Sequence, residues 1–336
     1  MNNKINVLKQ CAKDNNLSPQ LNNFEFKDNI TVYNDGNIIQ TKNDVGVTGY
    51  VDSKSLVKAV SKFKNAEIVD TSTSLIVKEG RNKMTIKKYE LSGGEEPFDI
   101  PKSQDEKVLK INKNFIDVIK LVSYSSIGSS LNMSGDGIII DMTGKFKKMI
   151  ATNGDTMSIG NLLLKGSGKL FIPKFIIDNM IKYFKDDSHL YYSNEYVRFD
   201  NGEYQFITLY TETEEQTDIN SIIKSIEIKQ IDIELTDDFK SIINNVIDIT
   251  DNFVELDFKS NRVDINGYCN NSCIESSFDI NNNQCECKIK LDKKFLKHGM
   301  EFDKFDLCYH VESEVYLIKF KKSKVNYYIS PTTGGE

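Results

Sequence analysis

Three stretches of this sequence follow one plan: an amphipathic, lysine-bearing helix, alternating strands, a second such helix, and more alternating strands. The approach to the second helix marks the period. It reads Gly49-Tyr50-Val51-Asp52, then Leu170-Phe171-Ile172-Pro173, then Lys288-Ile289-Lys290-Leu291-Asp292, so Asp52, Pro173 and Asp292 fall 121 and 119 residues apart. Solenoid units are roughly 20–50 residues long, whereas about 100–150 is the size of a domain. The pattern therefore predicts one small α+β domain in triplicate, over 1–103, 104–216 and 217–336.

With 336 residues, 39% of them hydrophobic and 27% charged, the chain can bury several cores and does not read as disordered. No apolar run approaches the roughly 18 residues of a membrane span. The start, Met1-Asn2-Asn3-Lys4-Ile5-Asn6, soon becomes polar, which argues against a secretory leader and predicts a cytoplasmic protein with no membrane partner.

Apolar periodicity predicts helices over 3–15, 52–65, 113–126, 173–185, 236–252 and 292–305. Asn34-Asp35-Gly36 between two β-rich runs and Asn201-Gly202 before Tyr204–Tyr210 are hairpin signals. The stretch from Gly93 to Pro101 and the acidic run from Thr211 to Asp218 read as linkers.

The net charge of −6 argues at first against a polyanionic partner, but its distribution argues for one. Taken together the helical segments are basic and the remainder is acidic; only 236–252 breaks the rule. Lys54, Lys58 and Lys62 lie at i, i+4 and i+8, opposite Leu56, Val60 and Phe63. Lys174, Lys182 and Lys185 form a second stripe and Lys293 and Lys297 a third, with Lys9, Lys13 and Lys120 on the first helices of their copies. Taken singly, each stripe is an ordinary solvated face. Shared sign on an otherwise acidic chain focuses a positive field on one surface, suited to sequence-independent phosphate contact.

Catalytic constellations are weak. His189, His298 and His310 sit in no metal or nucleophile motif, and Cys308 with His310 lacks an orienting third group. Cys269-x3-Cys273 and Cys285-x-Cys287 miss the usual zinc spacing, so reduced thiols in a β-rich domain are favoured over a metal. Gly135-Asp136-Gly137 and Gly166-Ser167-Gly168 suit hairpin turns better than phosphate cradles. The chain reads as a non-enzyme without cofactor or metal.

Several short segments resemble one family. Ala151-Thr152-Asn153-Gly154-Asp155-Thr156-Met157 is similar to the Ala-Thr-Asp-Gly-x-Arg-Leu segment of the bacterial-type DNA sliding clamp, the beta subunit of DNA polymerase III. Phe98-Asp99-Ile100-Pro101 is similar to the segment closing the first clamp domain, and Tyr327-Tyr328-Ile329-Ser330-Pro331 to the C-terminal strand. The resemblance, to a bacterial or phage-encoded form, implies three pseudo-twofold clamp domains and a ring of two chains joined head to tail. Helices would line the hole, and Lys9, Lys13, Lys54, Lys58, Lys62, Lys120, Lys174, Lys182, Lys185, Lys293 and Lys297 would face duplex DNA. A phage-encoded clamp would work in the cytoplasm of its host.

The resemblance further implies a processivity factor that tethers DNA polymerase, a clamp loader and other proteins with clamp-binding motifs. Their peptides would enter a cleft between the second and third domains, lined by Thr152, Met157, Ile222, Tyr328, Ser330 and Pro331. Ser330 stands where the family has Met, and Asp155-Thr156 replaces a His-Arg-like pair, which implies a smaller, less cationic groove with its own peptide preference. Met84 and Ile86, on an edge strand, would meet Ile249 at the dimer seam. The rival reading is a β-rich structural or assembly protein with duplicated domains and no ring around DNA.

Overall fold

The computed structural model describes residues 2–12, 22–34, 36–63, 65–89, 100, 103–126, 136–210, 224–270, 272–280 and 286–332. The two expected linkers, 93–101 and 211–218, lie outside the described residues but for Ile100. By contacts the chain divides into two compact units, Met1–Ile116 with Phe175–Thr213, and Asp117–Lys174 with Glu214–Glu336.

The first unit holds helices α1 (Asn2–Leu8), α2 (Ser53–Lys62) and α4 (Lys174–Tyr183). Its strands are β1 (Asn23–Phe26), β2 (Asn29–Asn34), β3 (Asn37–Lys42), β4 (Gly49–Asp52), β5 (Glu67–Asp70), β6 (Ser74–Glu79), β7 (Asn82–Tyr89), β8 (Lys107–Lys110), β13 (His189–Tyr192), β14 (Tyr196–Asp200) and β15 (Tyr204–Leu209). They form one sheet in the order β5-β6-β7-β4-β1-β2-β3-β15-β14-β13-β8.

The second unit holds most of α3 (Lys113–Val122), then α5 (Asp237–Ile249) and α6 (Lys293–Gly299). Strands β9 (Gly137–Asp141), β10 (Lys147–Thr152), β11 (Thr156–Leu162), β12 (Lys169–Pro173), β16 (Ile226–Glu234), β21 (Lys304–His310), β22 (Val315–Lys322) and β23 (Val325–Ile329) form a sheet ordered β12-β9-β10-β11-β23-β22-β21-β16. A four-stranded sheet, β19-β18-β17-β20, is built from β17 (Phe253–Phe258), β18 (Arg262–Cys269), β19 (Ser272–Asp279) and β20 (Cys287–Asp292).

One strand order recurs in these sheets. Four consecutive strands lie last-first-second-third in β4-β1-β2-β3, in β12-β9-β10-β11 and in β20-β17-β18-β19; β8-β13-β14-β15 and β16-β21-β22-β23 run likewise from an outer strand to a third hairpin strand. Four of these groups join two by two through antiparallel pairs of their final strands, β3 with β15 and β11 with β23. The corresponding strand β19 ends its sheet with no further strand neighbour among the described residues. β7 pairs with β6 along its length but with β4 only through Lys88 and Tyr89, so residues 82–87 have one side without a strand partner among the described residues.

Local chemistry sets the helix ends. Asp52 accepts from the Ser55 amide at 2.7 Å and Thr236 from the Phe239 amide at 3.2 Å, both N-caps that satisfy orphan donors. Asp237 and Asp238 occupy the first turn of α5, where the helix dipole favours anions; this gives part of the acidic helix a local cause. The sixth helix is shorter than the predicted 292–305. Gly299 lies under the Phe320 ring, where a Cβ would stand 2.6 Å from Cζ, and the chain then turns toward β21. Helix α1 likewise stops at Leu8, and Gln10, Cys11 and Ala12 close tight three-residue turns.

Candidate functional site

The hairpin joining β10 to β11 is set by Asn153-Gly154. Asn153 Oδ1 accepts from the amides of Asp155 (3.1 Å) and Thr156 (2.8 Å), and Gly154 takes φ +92°, a conformation that favours glycine. Thr152 Oγ1 donates to the Thr156 carbonyl at 2.9 Å. The Ser330 amide donates to the Asp155 carbonyl at 2.9 Å, and the Thr332 amide to the Lys290 carbonyl at 2.9 Å. The C-terminal segment that contains Ser330 and Pro331 is thus fastened between this hairpin and β20.

Register then aligns side chains across five strands. Thr152 faces Met157, Met157 faces Tyr328, Tyr328 faces Lys319 and Lys319 faces Asp306. Side chains alternate along a strand, so Ile150, Ile159, Leu317 and Cys308 share this face, and with Met157 and Tyr328 they form one apolar cluster against which Ile226 packs. The opposite face carries the helices. A Cβ at Gly160 would stand 2.4 Å from Val118 Cγ1 of α3, and Tyr327 packs edge-on against His298 of α6 with centroids 4.9 Å apart. The sheet therefore has apolar side chains on both faces, one under helices and one under the Thr152–Tyr328 row. Structure and register bring together Thr152, Met157, Tyr328 and Ser330; Ile222 lies outside the described residues.

The lysines divide by surroundings. On α2, Lys54, Lys58 and Lys62 are exposed while Leu56, Ala59 and Val60 are buried beneath them. Lys9, Lys120 and Lys182 are exposed, Lys182 with its ammonium 5.0 Å from the Tyr183 ring. Two further exposed lysines carry surface ion pairs, Lys185 with Glu203 at 2.7 Å and Lys297 with Asp248 at 3.4 Å; such pairs contribute about 0–1 kcal/mol and yield readily to a phosphate. Lys174 is half-buried. Lys293 turns its ammonium to the Thr250 carbonyl at the C-terminal end of α5, so it caps a helix instead of reaching outward. Lys13 lies outside the described residues.

Of the expected seam residues, Ile249 is 54% exposed at the end of α5 and Met84 is half-buried. Ile86 is 4% exposed and packs in the core of its own unit. Sequence reasoning missed the charges beside the seam residues. Lys83 and Lys87 are exposed on β7, Glu275 and Asp279 on the outer strand β19.

Burial pushes the Cys308 thiol up to about 12, the reverse of an activated nucleophile, and His310 Nδ1 bonds the Ser313 hydroxyl at 2.7 Å. Among the described residues no three His, Cys, Asp or Glu side chains come together as a metal site would require, and no helix is long and apolar enough to cross a membrane. Cys285 lies outside the described residues.

No protein-family model and no curated protein sequence matches the chain. Solved structures do. The Helicobacter pylori beta clamp bound to a DNA ligase peptide superposes with a TM-score of 0.78 at 16% identity, covering 99% of this chain and 97% of that one. Caulobacter crescentus pol III beta gives 0.79 at 13% identity, with the same coverage of each chain. A Pseudomonas aeruginosa sliding clamp, DNA polymerase III subunit beta, bound to griselimycin gives 0.77 at 11%, again covering 99% and 97%. Along nearly its whole length the chain has the α+β fold of the beta clamps.

Proposed function

We propose that this chain is a DNA sliding clamp: two copies close head to tail around duplex DNA and tether DNA polymerase, a clamp loader and other motif-bearing proteins without catalysing a reaction. The single observation that carries this reading is the strand order. Two junctions of one type, β3 with β15 and β11 with β23, are made within the chain, and the two strands that would make a third, β7 over residues 82–87 and β19, have an edge unpaired among the described residues. Such edges invite pairing with another chain. A β7 edge that seats on the β19 edge of a second copy, and the reverse, closes a ring of two chains. In this reading the three modules are 1–103, 104–216 and 217–336, and each junction lies between neighbouring modules.

Charge supports the same seam. Lys83 and Lys87 on β7 meet Glu275 and Asp279 on β19, with Met84 and Ile249 as the apolar contribution. Within the ring, the exposed lysines Lys9, Lys54, Lys58, Lys62, Lys120, Lys182, Lys185 and Lys297 face the DNA. Topological retention lets each phosphate contact stay weak, so the ring can slide. The row from Thr152 through Met157 to Tyr328, with Ser330, Pro331 and Ile222, receives partner peptides; the Helicobacter pylori clamp of the same fold has been solved with a DNA ligase peptide. Such a protein works in the cytoplasm of a bacterium, or of the host of a phage.

Retention on DNA tests the proposal. Loaded onto a nicked circle, the protein stays bound through gel filtration at moderate salt, and linearising the circle releases it. Equal retention on circles and linear DNA, or none on either, points instead to a phosphate-binding or assembly protein.

A further inference from the structure

The apolar cluster around Tyr328 has a charged border that the proposed function leaves unused. Asp306 on β21 is 1% exposed, and two lysines of β22 reach it: Lys321 at 2.8 Å from Oδ1 and Lys319 at 3.5 Å from Oδ2. Among the described residues this border brings two ammonium groups to the Asp306 carboxylate. A buried carboxylate is costly unless paired, and Lys321 at hydrogen-bond distance meets that need. Lys319 sits beyond a good hydrogen bond. Its side chain is only 15% exposed, so the ammonium is confined to a rim where little water screens it. The same ammonium lies 5.9 Å from the centre of the Tyr328 ring, its cross-strand neighbour. A cation is thus fixed beside the principal aromatic side chain of the cleft.

We propose that the cleft takes peptides with a carboxylate next to their apolar anchors, and that Lys319 is the residue that reads it; the inference rests on the peptide-cleft reading above. A carboxylate arriving at the rim replaces the long Lys319–Asp306 contact with a closer ion pair, and Lys321 keeps Asp306 neutralised, so no buried charge is left alone. A lysine or arginine at the same peptide position meets Lys319 and is rejected. Asp306 acts as a positioning residue that holds both ammonium groups at the rim.

Fluorescence anisotropy with the full chain and labelled, C-terminally amidated peptides tests this. Each peptide carries two leucines and a phenylalanine as anchors, with Asp or Asn directly before or directly after them. At one of the two positions the Asp peptide binds about tenfold more tightly than its Asn twin, the low end of what close charge pairs contribute at interfaces, and the ratio shrinks with added salt. Lys319→Met, which keeps the apolar stem, removes the preference, so that each Asp peptide binds no more tightly than its Asn twin, whereas Lys319→Arg retains it. Equal, measurable binding of Asp and Asn peptides at both positions overturns the inference while leaving the cleft in place, as does a preference that survives Lys319→Met. Absence of binding by every peptide removes the cleft reading and this inference together.

Discussion

At the scale of single residues, the most informative side chain is one that sequence alone left idle. His298 is 5% exposed and stacked on Tyr124 with centroids 3.7 Å apart, with Tyr327 and Phe302 edge-on around it. Burial holds the imidazole below its ordinary value near 6.5, outweighing the Glu301 carboxylate at 3.6 Å and the Leu121 carbonyl, which favour the proton. Below that ordinary value the unfolded chain takes up a proton that the folded chain resists, so stability is full above it and falls with acid. Urea midpoints measured from pH 7.5 down to 5 should decline in the wild type, and His298→Phe should flatten part of that decline; identical slopes would contradict it. Two glycines carry a second residue-scale prediction. A Cβ at Gly160 would meet Val118 Cγ1 at 2.4 Å, and one at Gly267 would meet Thr250 Oγ1 at 2.0 Å. Gly160→Ala and Gly267→Ala should each lower stability by about 1–3 kcal/mol through overpacking, read as a shift in the urea midpoint. Neither role is visible in sequence, because both depend on which helix a strand lies beneath.

At the scale of elements, legibility followed how many faces each element buries. Helices α2, α3, α4 and α5 end within a few residues of their predicted bounds, because one apolar stripe against a lysine or aspartate face has a clear period. Strands β2, β3 and β15 were equally legible through the hairpin turns beside them. β1 and β11 were not. Every residue of β1 and all but Asn161 of β11 are buried; Asn23, Glu25, Thr156 and Ser158 alternate with apolar neighbours yet are covered themselves, so polar positions lose their meaning as a solvent face. That loss concealed half of the candidate cleft, since Met157 faces Tyr328 only once β11 is a strand beside β23. The family likeness named Thr152, Met157, Tyr328 and Ser330, but Lys319 and Asp306 emerge from register alone. Truncating the row tests the cleft as an element. Met157→Ala and Tyr328→Ala should each weaken an apolar peptide at least about tenfold, as anchor-lining positions do, with little change in a DNA-retention assay. Unchanged peptide affinity in both variants would move the site elsewhere.

At the scale of the whole molecule, one strand order recurs and one type of junction is made twice among the described residues; in the proposed ring a second chain makes the third. In the proposed reading the period of about 120 residues is the trace of this plan in the sequence, while of the seam only Met84, Ile86 and Ile249 were named, through the family likeness, because edge strands are defined by neighbours they lack. Lys83→Glu with Lys87→Glu should yield monomers in sedimentation, and adding Glu275→Lys with Asp279→Lys should restore the dimer; an unaffected dimer in the first variant would remove the charged seam. Lys58→Glu with Lys62→Glu should lower retention on circular DNA and its salt sensitivity, since each phosphate contact contributes to the salt slope. The most direct measurement is an electron cryomicroscopy reconstruction of the purified full-length protein. It should show two chains in a closed ring, β7 of each continued by β19 of the other, with Lys54, Lys58 and Lys62 turned toward the central hole. A closed particle without a hole, or a ring with those lysines on its rim, would contradict it.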